Sequence, residues 1–229
     1  MKCGIVVFPG SNCDHDCYHI LKKVLNQETH WLWHKDNANL DSFDLVVLPG
    51  GFSYGDYLRA GAISRFSPVM NSVISFAKNG GKVLGICNGF QILVESGLLP
   101  GALMQNHTRN FICKNVHIRV ESTDTHFTQA CGDKSILQIP VAHHQGSYYI
   151  DSHSLNDLEK RGQILFRYCD TEGNITDSSN PNGSVGSVAG LCNTQKNVMG
   201  MMPHPERCAD PLWPNIDGQS IFKSLIMQN

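Results

Sequence analysis

Two short stretches of the sequence carry residue types that can do covalent chemistry together. The first is Gly85-Ile86-Cys87-Asn88-Gly89, which follows a short apolar run and leads into a helix expected to begin near Gly89-Phe90-Gln91. A nucleophile between two such glycines, at a strand-to-helix turn, reads as the sharp elbow by which hydrolases expose a reactive side chain. The glycines matter because the turn is tight and neighbouring backbone comes close. A thiol at that place sits at a helix N-terminus, whose dipole favours thiolate, and the Asn88 amide is placed to meet an oxyanion. The second stretch is Pro203-His204-Pro205-Glu206, which offers an imidazole and a carboxylate. A thiolate nucleophile needs a base, and the base needs an orienting partner. In extended backbone, alternate residues point the same way, so His204 and Glu206 are expected side by side. The two prolines are expected to keep that segment out of a helix.

Other residues fit around this pair. Pro49-Gly50-Gly51-Phe52 closes an apolar run, and a glycine turn there can offer a second backbone N–H to the same oxyanion. Gln91 lies one helical turn after Cys87 and is expected to look back across the pocket. His143-His144 ends a strand-like run, and His143 is the second candidate to line the site. Cys13, His15, Cys17 and His19 look like a metal cluster, but on a helix the two cysteines share one face and the two histidines fall opposite. Four such ligands cannot converge on a tetrahedral ion, so no metal site is expected. Neither GxxxxGK[ST] nor GxGxxG is present, so no nucleotide-phosphate loop is written here.

These residues must be positioned by a scaffold, and its elements are legible. Apolar, β-branched runs at 5–8, 29–33, 45–48 and 83–86 read as strands. Between them, Cys17, Ile20, Leu21, Val24 and Leu25 recur at helical spacing, with Ser11, Asn12 and Asp14 as candidate caps, and 62–78 reads as helical with Pro68 starting or kinking it. Strands apolar on both faces and alternating with helices indicate a parallel sheet covered on both sides. The second half holds further strand-like runs at 111–120, 136–141, 164–168, 185–192 and 198–202, a loop-like 170–187 and a closing helix at 220–227. The expected fold is α/β: a mostly parallel open sheet flanked by helices, with an antiparallel addition in the second half. The whole chain, 1–229, is expected to be one domain.

Composition narrows the function classes. Of 229 residues, 41% are hydrophobic and 17% charged, values of an ordinary globular protein with enough length for a substantial core. The formal net charge of −2 carries no basic block, so neither nucleic acid nor an anionic membrane is an expected partner. No run approaches the roughly 20 apolar residues that span a bilayer. Nine cysteines, odd in number and without a CxxC pair, do not form a disulfide scaffold. With no signal-peptide pattern at the N-terminus, the expectation is a reduced, cytoplasmic protein.

Taken together, these motifs resemble the triad glutamine amidotransferases, whose elbow reads Gly-x-Cys-x-Gly-x-Gln and whose late His-x-Glu completes the site. Phe8-Pro9-Gly10-Ser11-Asn12-Cys13-Asp14 and Met201-Met202-Pro203-His204-Pro205-Glu206-Arg207 share in the resemblance, and Ser53-Tyr54-Gly55-Asp56-Tyr57-Leu58-Arg59-Ala60-Gly61 and Asn180-Pro181-Asn182-Gly183-Ser184 narrow it to the purine-biosynthetic branch. The resemblance implies a flavodoxin-like class I amidotransferase fold, with Cys87 as nucleophile, His204 as base, Glu206 as its orienter and an oxyanion hole on amides at Gly51 and Asn88. It implies hydrolysis of glutamine, with the ammonia passing to a larger synthetase subunit that works with a small accessory subunit. ATP and magnesium then belong to the synthetase subunit, with no cofactor in this chain. Two alternatives stay open: a glutaminase serving a different synthetase, and a non-catalytic assembly subunit on the same fold. One departure is evident, since the family often reads Ala-His-Gly-Glu-Gly-Arg where this chain has Ala142-His143-His144-Gln145-Gly146-Ser147.

Overall fold

A computed structural model describes residues 1–133 and 135–227. Its centre is a nine-stranded sheet in the order β2-β1-β3-β4-β11-β10-β9-β6-β7. The strands are β1 (Lys2–Val7), β2 (Glu28–Trp33), β3 (Leu45–Leu48), β4 (Lys82–Ile86), β5 (Ala102–Met104), β6 (Ile112–Val120), β7 (Ile136–His143), β8 (Ser147–Tyr149), β9 (Ile164–Cys169), β10 (Val188–Cys192) and β11 (Val198–Met201). β2, β1, β3, β4 and β11 pair in parallel, and β11, β10, β9, β6 and β7 continue the same sheet antiparallel. β3, β10 and β11 are buried along their whole length, as sequences apolar on both faces require. β6 and β7 instead alternate buried and partly exposed positions over much of their length, which suits a sheet covered on one side.

The helices are α1 (Asp14–Tyr18), α2 (Pro68–Lys78), α3 (Asn88–Glu95), α4 (Ser152–Lys160) and α5 (Gln219–Ile226). α1 continues as a π-helical turn over His19–Val24, which buries Ile20 and Leu21. Its N-cap is Cys13, with no side-chain cap bond, so the polar residues around it do not cap it as expected. The helix expected over 62–78 starts only at Pro68, because proline lacks the N–H that an interior position needs but suits a first turn. A 3-10 turn, Ser64–Phe66, precedes it. β10 begins at Val188, after a 3-10 turn over Val185–Ser187. α4 and a small antiparallel sheet of β5 and β8 were not anticipated. α4 buries only Leu158, so it carries little apolar periodicity; its signature is the Asp151 carboxylate accepting from the Ser154 amide at 3.0 Å.

The strand order turns back at β1 and β3, a switch point that leaves a crevice beyond the carboxyl ends of the strands. The loops that leave β1, β3, β4 and β11 at that edge are 8–13, 49–57, the Cys87 elbow and 202–206, the segments singled out by their chemistry. Among the described residues no helix is long and apolar enough to cross a membrane.

Candidate active site

Cys87 follows β4 directly and caps α3 with φ 51° and ψ −104°, a positive φ that side chains other than glycine rarely adopt. The surroundings hold it there. Its amide donates to the Met201 carbonyl at 2.8 Å and its carbonyl accepts from Gln91 at 3.1 Å. A side chain at Gly89 would overlap the Leu48 carbonyl, and one at Gly85 would come within 2.8 Å of the Gly89 backbone. The glycines of the elbow are therefore set by close packing of strand, turn and helix. As the first residue of α3, Asn88 has an amide with no carbonyl one turn back to bond.

His204 and Glu206 do come together, with His204 Nδ1 and Glu206 Oε1 2.6 Å apart and both side chains buried. They meet by a different route from the one expected. Pro205 opens a 3-10 turn over Pro205–Cys208, and that turn rather than an extended strand brings the carboxylate back to the ring. The His204 amide donates to the Pro140 carbonyl at 2.8 Å and ties the turn to β7. With Nδ1 taken, Nε2 has no protein hydrogen-bond partner. Burial alone would lower the His204 pKa, but the Glu206 carboxylate, followed by Cys87 and Cys13, outweighs it and holds the pKa well above its usual value. A carboxylate on one ring nitrogen and a free second nitrogen make an imidazole that can receive and return a proton.

Cys13 is a neighbour that the sequence did not suggest. Its ligand atom lies within 4.8 Å of those of His204 and Glu206. Of its neighbours in sequence, His15 is exposed and His19 Nε2 lies 2.5 Å from Asp210 Oδ2. The Cys13 sulfur accepts from Arg207 Nη2 at 3.0 Å, so a guanidinium already supplies positive charge at this position. Gly50 completes the contact, since a β-carbon there would lie 2.7 Å from His204 Cε1 and 3.2 Å from the Cys13 sulfur. Gly50→Ala is therefore expected to displace the His204 ring and lower turnover at this site by on the order of 100-fold. Circular dichroism and turnover measured together check this; wild-type turnover in a folded variant would contradict it.

Gly51 lies where expected, at the end of β3, with φ 145° and only 2.8 Å between a would-be β-carbon and the Asn12 amide nitrogen. Gln91 faces the site but commits both polar ends to protein: Nε2 to the Gln145 carbonyl, and Oε1 to Asn88 Nδ2 at 2.9 Å. His143 is buried, with Nδ1 2.9 Å from Asn106 Oδ1 and Nε2 unpartnered. Burial, followed by the nearby His204, lowers its pKa to about 4, so it is neutral at physiological pH. The departure at 144–147 includes Gln145, whose side chain is engaged within the chain. Gln145 Oε1 accepts from the Ala60 amide at 3.2 Å, an acceptor role that a glutamate would also fill. Asn182 and Ser184 hold the same loop, with Asn182 Nδ2 donating to the Gly146 carbonyl at 2.8 Å and Ser184 Oγ accepting from the Tyr148 amide at 3.0 Å.

Asp56, on the 53–61 loop, is partly buried, and that burial raises its pKa to about 6 despite the bond from Asn88. A carboxyl whose folded pKa exceeds its unfolded value destabilises the fold when charged, so stability is gained as pH falls from about 6 toward 4. The lowered pKa of His143 has the opposite sign: stability is lost as pH falls from 6.5 to about 4. A wild-type curve blends the two. Asp56→Asn removes only the first, so it is expected to be about 1–2 kcal/mol more stable than wild type at pH 7.5, after allowance for partial exposure. The gain should vanish near pH 4. Thermal melts at both pH values check this; a gain that grows on acidification would contradict it.

A thiol at a strained strand-to-helix elbow, beside an imidazole–carboxylate pair at the carboxyl ends of parallel strands, defines the class of thiol acyl-transfer enzymes on an open α/β sheet. Residues 1–225 match the CobB/CobQ-like glutamine amidotransferase domain, and the chain belongs to that family. It is 53% identical to phosphoribosylformylglycinamidine synthase subunit PurQ of Salinibacter ruber, over 97% of this chain and 94% of that protein. It is 52% identical to the subunit of the same name from Moorella thermoacetica, over 99% and 95% respectively. Among solved structures, a structure of PurLQS from Thermotoga maritima superposes with a TM-score of 0.86 at 42% identity, covering 98% of this chain and 97% of that one.

Proposed function

We propose that this chain is the glutaminase subunit of a phosphoribosylformylglycinamidine synthase, acting as one amidotransferase domain over residues 1–229. It hydrolyses glutamine to glutamate and ammonia and delivers the ammonia to a synthetase subunit, which uses ATP to turn formylglycinamide ribonucleotide into its amidine in purine biosynthesis. The observation that carries this reading is the buried His204–Glu206 pair, with a free imidazole nitrogen, at the sheet edge where the Cys87 elbow emerges.

The residues take the following parts. The Cys87 thiol gives its proton to His204 Nε2, and the sulfur attacks the carboxamide carbon of glutamine. The resulting oxyanion is met by the amides of Gly51 and Asn88. His204 then protonates the leaving nitrogen, the C–N bond breaks, and ammonia departs from a γ-glutamyl thioester. His204 next takes a proton from water, whose oxygen attacks the thioester, and glutamate leaves as the thiol is restored. Glu206 holds the imidazole in the required tautomer throughout. His143, neutral and with a free Nε2, is placed to hydrogen-bond the substrate glutamine. Gln91 supports the site by holding the 143–146 loop against the elbow.

The proposed partners are the larger synthetase subunit, which holds ATP and magnesium, and a small accessory subunit. Phe52, Tyr57 and Leu58 stand exposed beside the site, Leu58 by 92%, and offer an apolar rim for a docking surface. Nine free cysteines suit a reducing, cytoplasmic setting.

The test is transfer of label. With a purified synthetase subunit, its accessory subunit, ATP and formylglycinamide ribonucleotide, amide-15N-glutamine should yield 15N-amidine only when this chain is present. Activation of a GMP- or CTP-forming synthetase instead would move the function to a different partner. Unlabelled amidine from added ammonium alone, with no label passed from glutamine, would make the chain an assembly subunit.

A further inference from the structure

The loop at 53–61 holds a concentration of disfavoured backbone. Tyr54, Asp56 and Leu58 have φ of 55°, 53° and 69°, three non-glycine residues in the left-handed region within five positions. L-residues disfavour that region, and such outliers persist only when their surroundings over-determine them. Two of the bonds that hold this loop come from one side chain. Asn88 is wholly buried; its Oδ1 accepts from the Ser53 amide at 3.2 Å, and its Nδ2 donates to Asp56 Oδ1 at 3.0 Å and to Gln91 Oε1 at 2.9 Å. Ser53 lies two residues after Gly51, and Asn88 carries one of the two amides proposed to meet the oxyanion. One amide side chain thus bolts the glycine turn after β3 to the elbow after β4.

We propose that Asp56 is a positioning residue for glutamine hydrolysis: by accepting from Asn88 Nδ2 it fixes the Asn88 side chain, and through it the spacing of the Gly51 and Asn88 amides. Asp56 touches no reacting atom in this account. Its place in the left-handed region also fits the role, since aspartate and asparagine tolerate that conformation better than other side chains. The inference rests on the oxyanion hole proposed above.

The same backbone preference supplies a clean variant. Asp56→Gly removes the acceptor and leaves φ 53° unstrained, whereas alanine would add strain of its own. The probe is L-glutamate γ-semialdehyde, whose aldehyde carbon takes the Cys87 sulfur while its oxygen takes the thiol proton or remains as the alkoxide in the hole. In the reconstituted complex, Asp56→Gly is expected to lower kcat for glutamine about 10- to 100-fold with KM changed less than threefold. The inhibition constant of the aldehyde should rise by a similar factor. Asp56→Asn, which retains an acceptor, should restore most of both. A folded Asp56→Gly variant that keeps kcat and aldehyde affinity within twofold of wild type would overturn this inference alone. A change confined to KM, or no rescue by Asp56→Asn, would also overturn it. If the aldehyde binds Cys87→Ala as tightly as wild type, the proposed nucleophile is wrong and this inference falls with it.

Discussion

Replacing Cys87 with alanine is expected to abolish glutamine-dependent amidine formation by the reconstituted enzyme while leaving ammonia-dependent formation intact. The reason is a division of labour. Under the proposed function this chain breaks the C–N bond of glutamine and the synthetase subunit forms the new one, so ammonia alone links the two sites. Losing the nucleophile removes the thioester route altogether, and the rate should fall on the order of 10⁴-fold or more. Ammonium salt, at a pH high enough to supply free ammonia, should restore synthesis because the second site is untouched. The alanine fits the elbow, whose packing is governed by Gly85 and Gly89 rather than by the sulfur. An assembly subunit would show unchanged glutamine-dependent synthesis in this variant. Loss of both activities in a complex that still assembles would mean that Cys87 also supports the synthetase, and the two-site account would be wrong.

The second large effect separates base from orienter. His204→Ala is expected to remove nearly all glutamine hydrolysis, because the neighbouring imidazole of His143 pairs with the Asn106 side-chain amide rather than with a carboxylate. His143, the nearest substitute, keeps a pKa of about 4 and is a poor proton acceptor at neutral pH. Glu206→Gln should be less severe, retaining on the order of 10- to 100-fold more activity than His204→Ala, since the ring remains while its tautomer and orientation are no longer enforced. The charge has a further consequence. The Glu206 carboxylate is the leading influence that raises the His204 pKa against burial, so Glu206→Gln should move the acidic limb of the kcat profile to lower pH. Turnover of both variants across pH 5–9 checks the pair. Near wild-type turnover in His204→Ala would transfer the role of base elsewhere.

The Cys87 elbow and the His204–Glu206 pair were more legible in the sequence than the geometry that forms them. Cys87 announces itself because a thiol between two spaced glycines, after a β-branched run, suits a tight elbow better than a packed core position. The elbow φ of 51° bears out that local reading. The strands were legible for a similar reason, since burial on both faces leaves continuous apolar runs such as Leu45–Leu48. Helix boundaries were less so. The run through 62–78 has helical periodicity throughout, yet the missing N–H of Pro68 fixes where the helix starts. α4 escaped because one buried leucine makes no pattern. His204 and Glu206 were paired from their spacing, although a 3-10 turn rather than an extended segment brings them together. The contacts that escaped entirely are long-range. Arg207 reaches the Cys13 sulfur across 194 positions, and Asn88 reaches Asp56 across 32, so only the folded sheet edge makes them neighbours.

The central claim is that Cys87 forms a bond to the side-chain carbonyl carbon of glutamine. A glutamine-like diazoketone tests it most directly, because it must be recognised as glutamine before it alkylates. Nine free thiols compete, and Cys113 is the exposed one, so a reagent guided by access alone would favour Cys113. The account predicts one adduct per chain, mapped to Cys87, formed in step with loss of glutamine hydrolysis and prevented by excess glutamine. Labelling that maps to Cys13, Cys17, Cys113 or Cys208 instead, with hydrolysis lost in step, would contradict it.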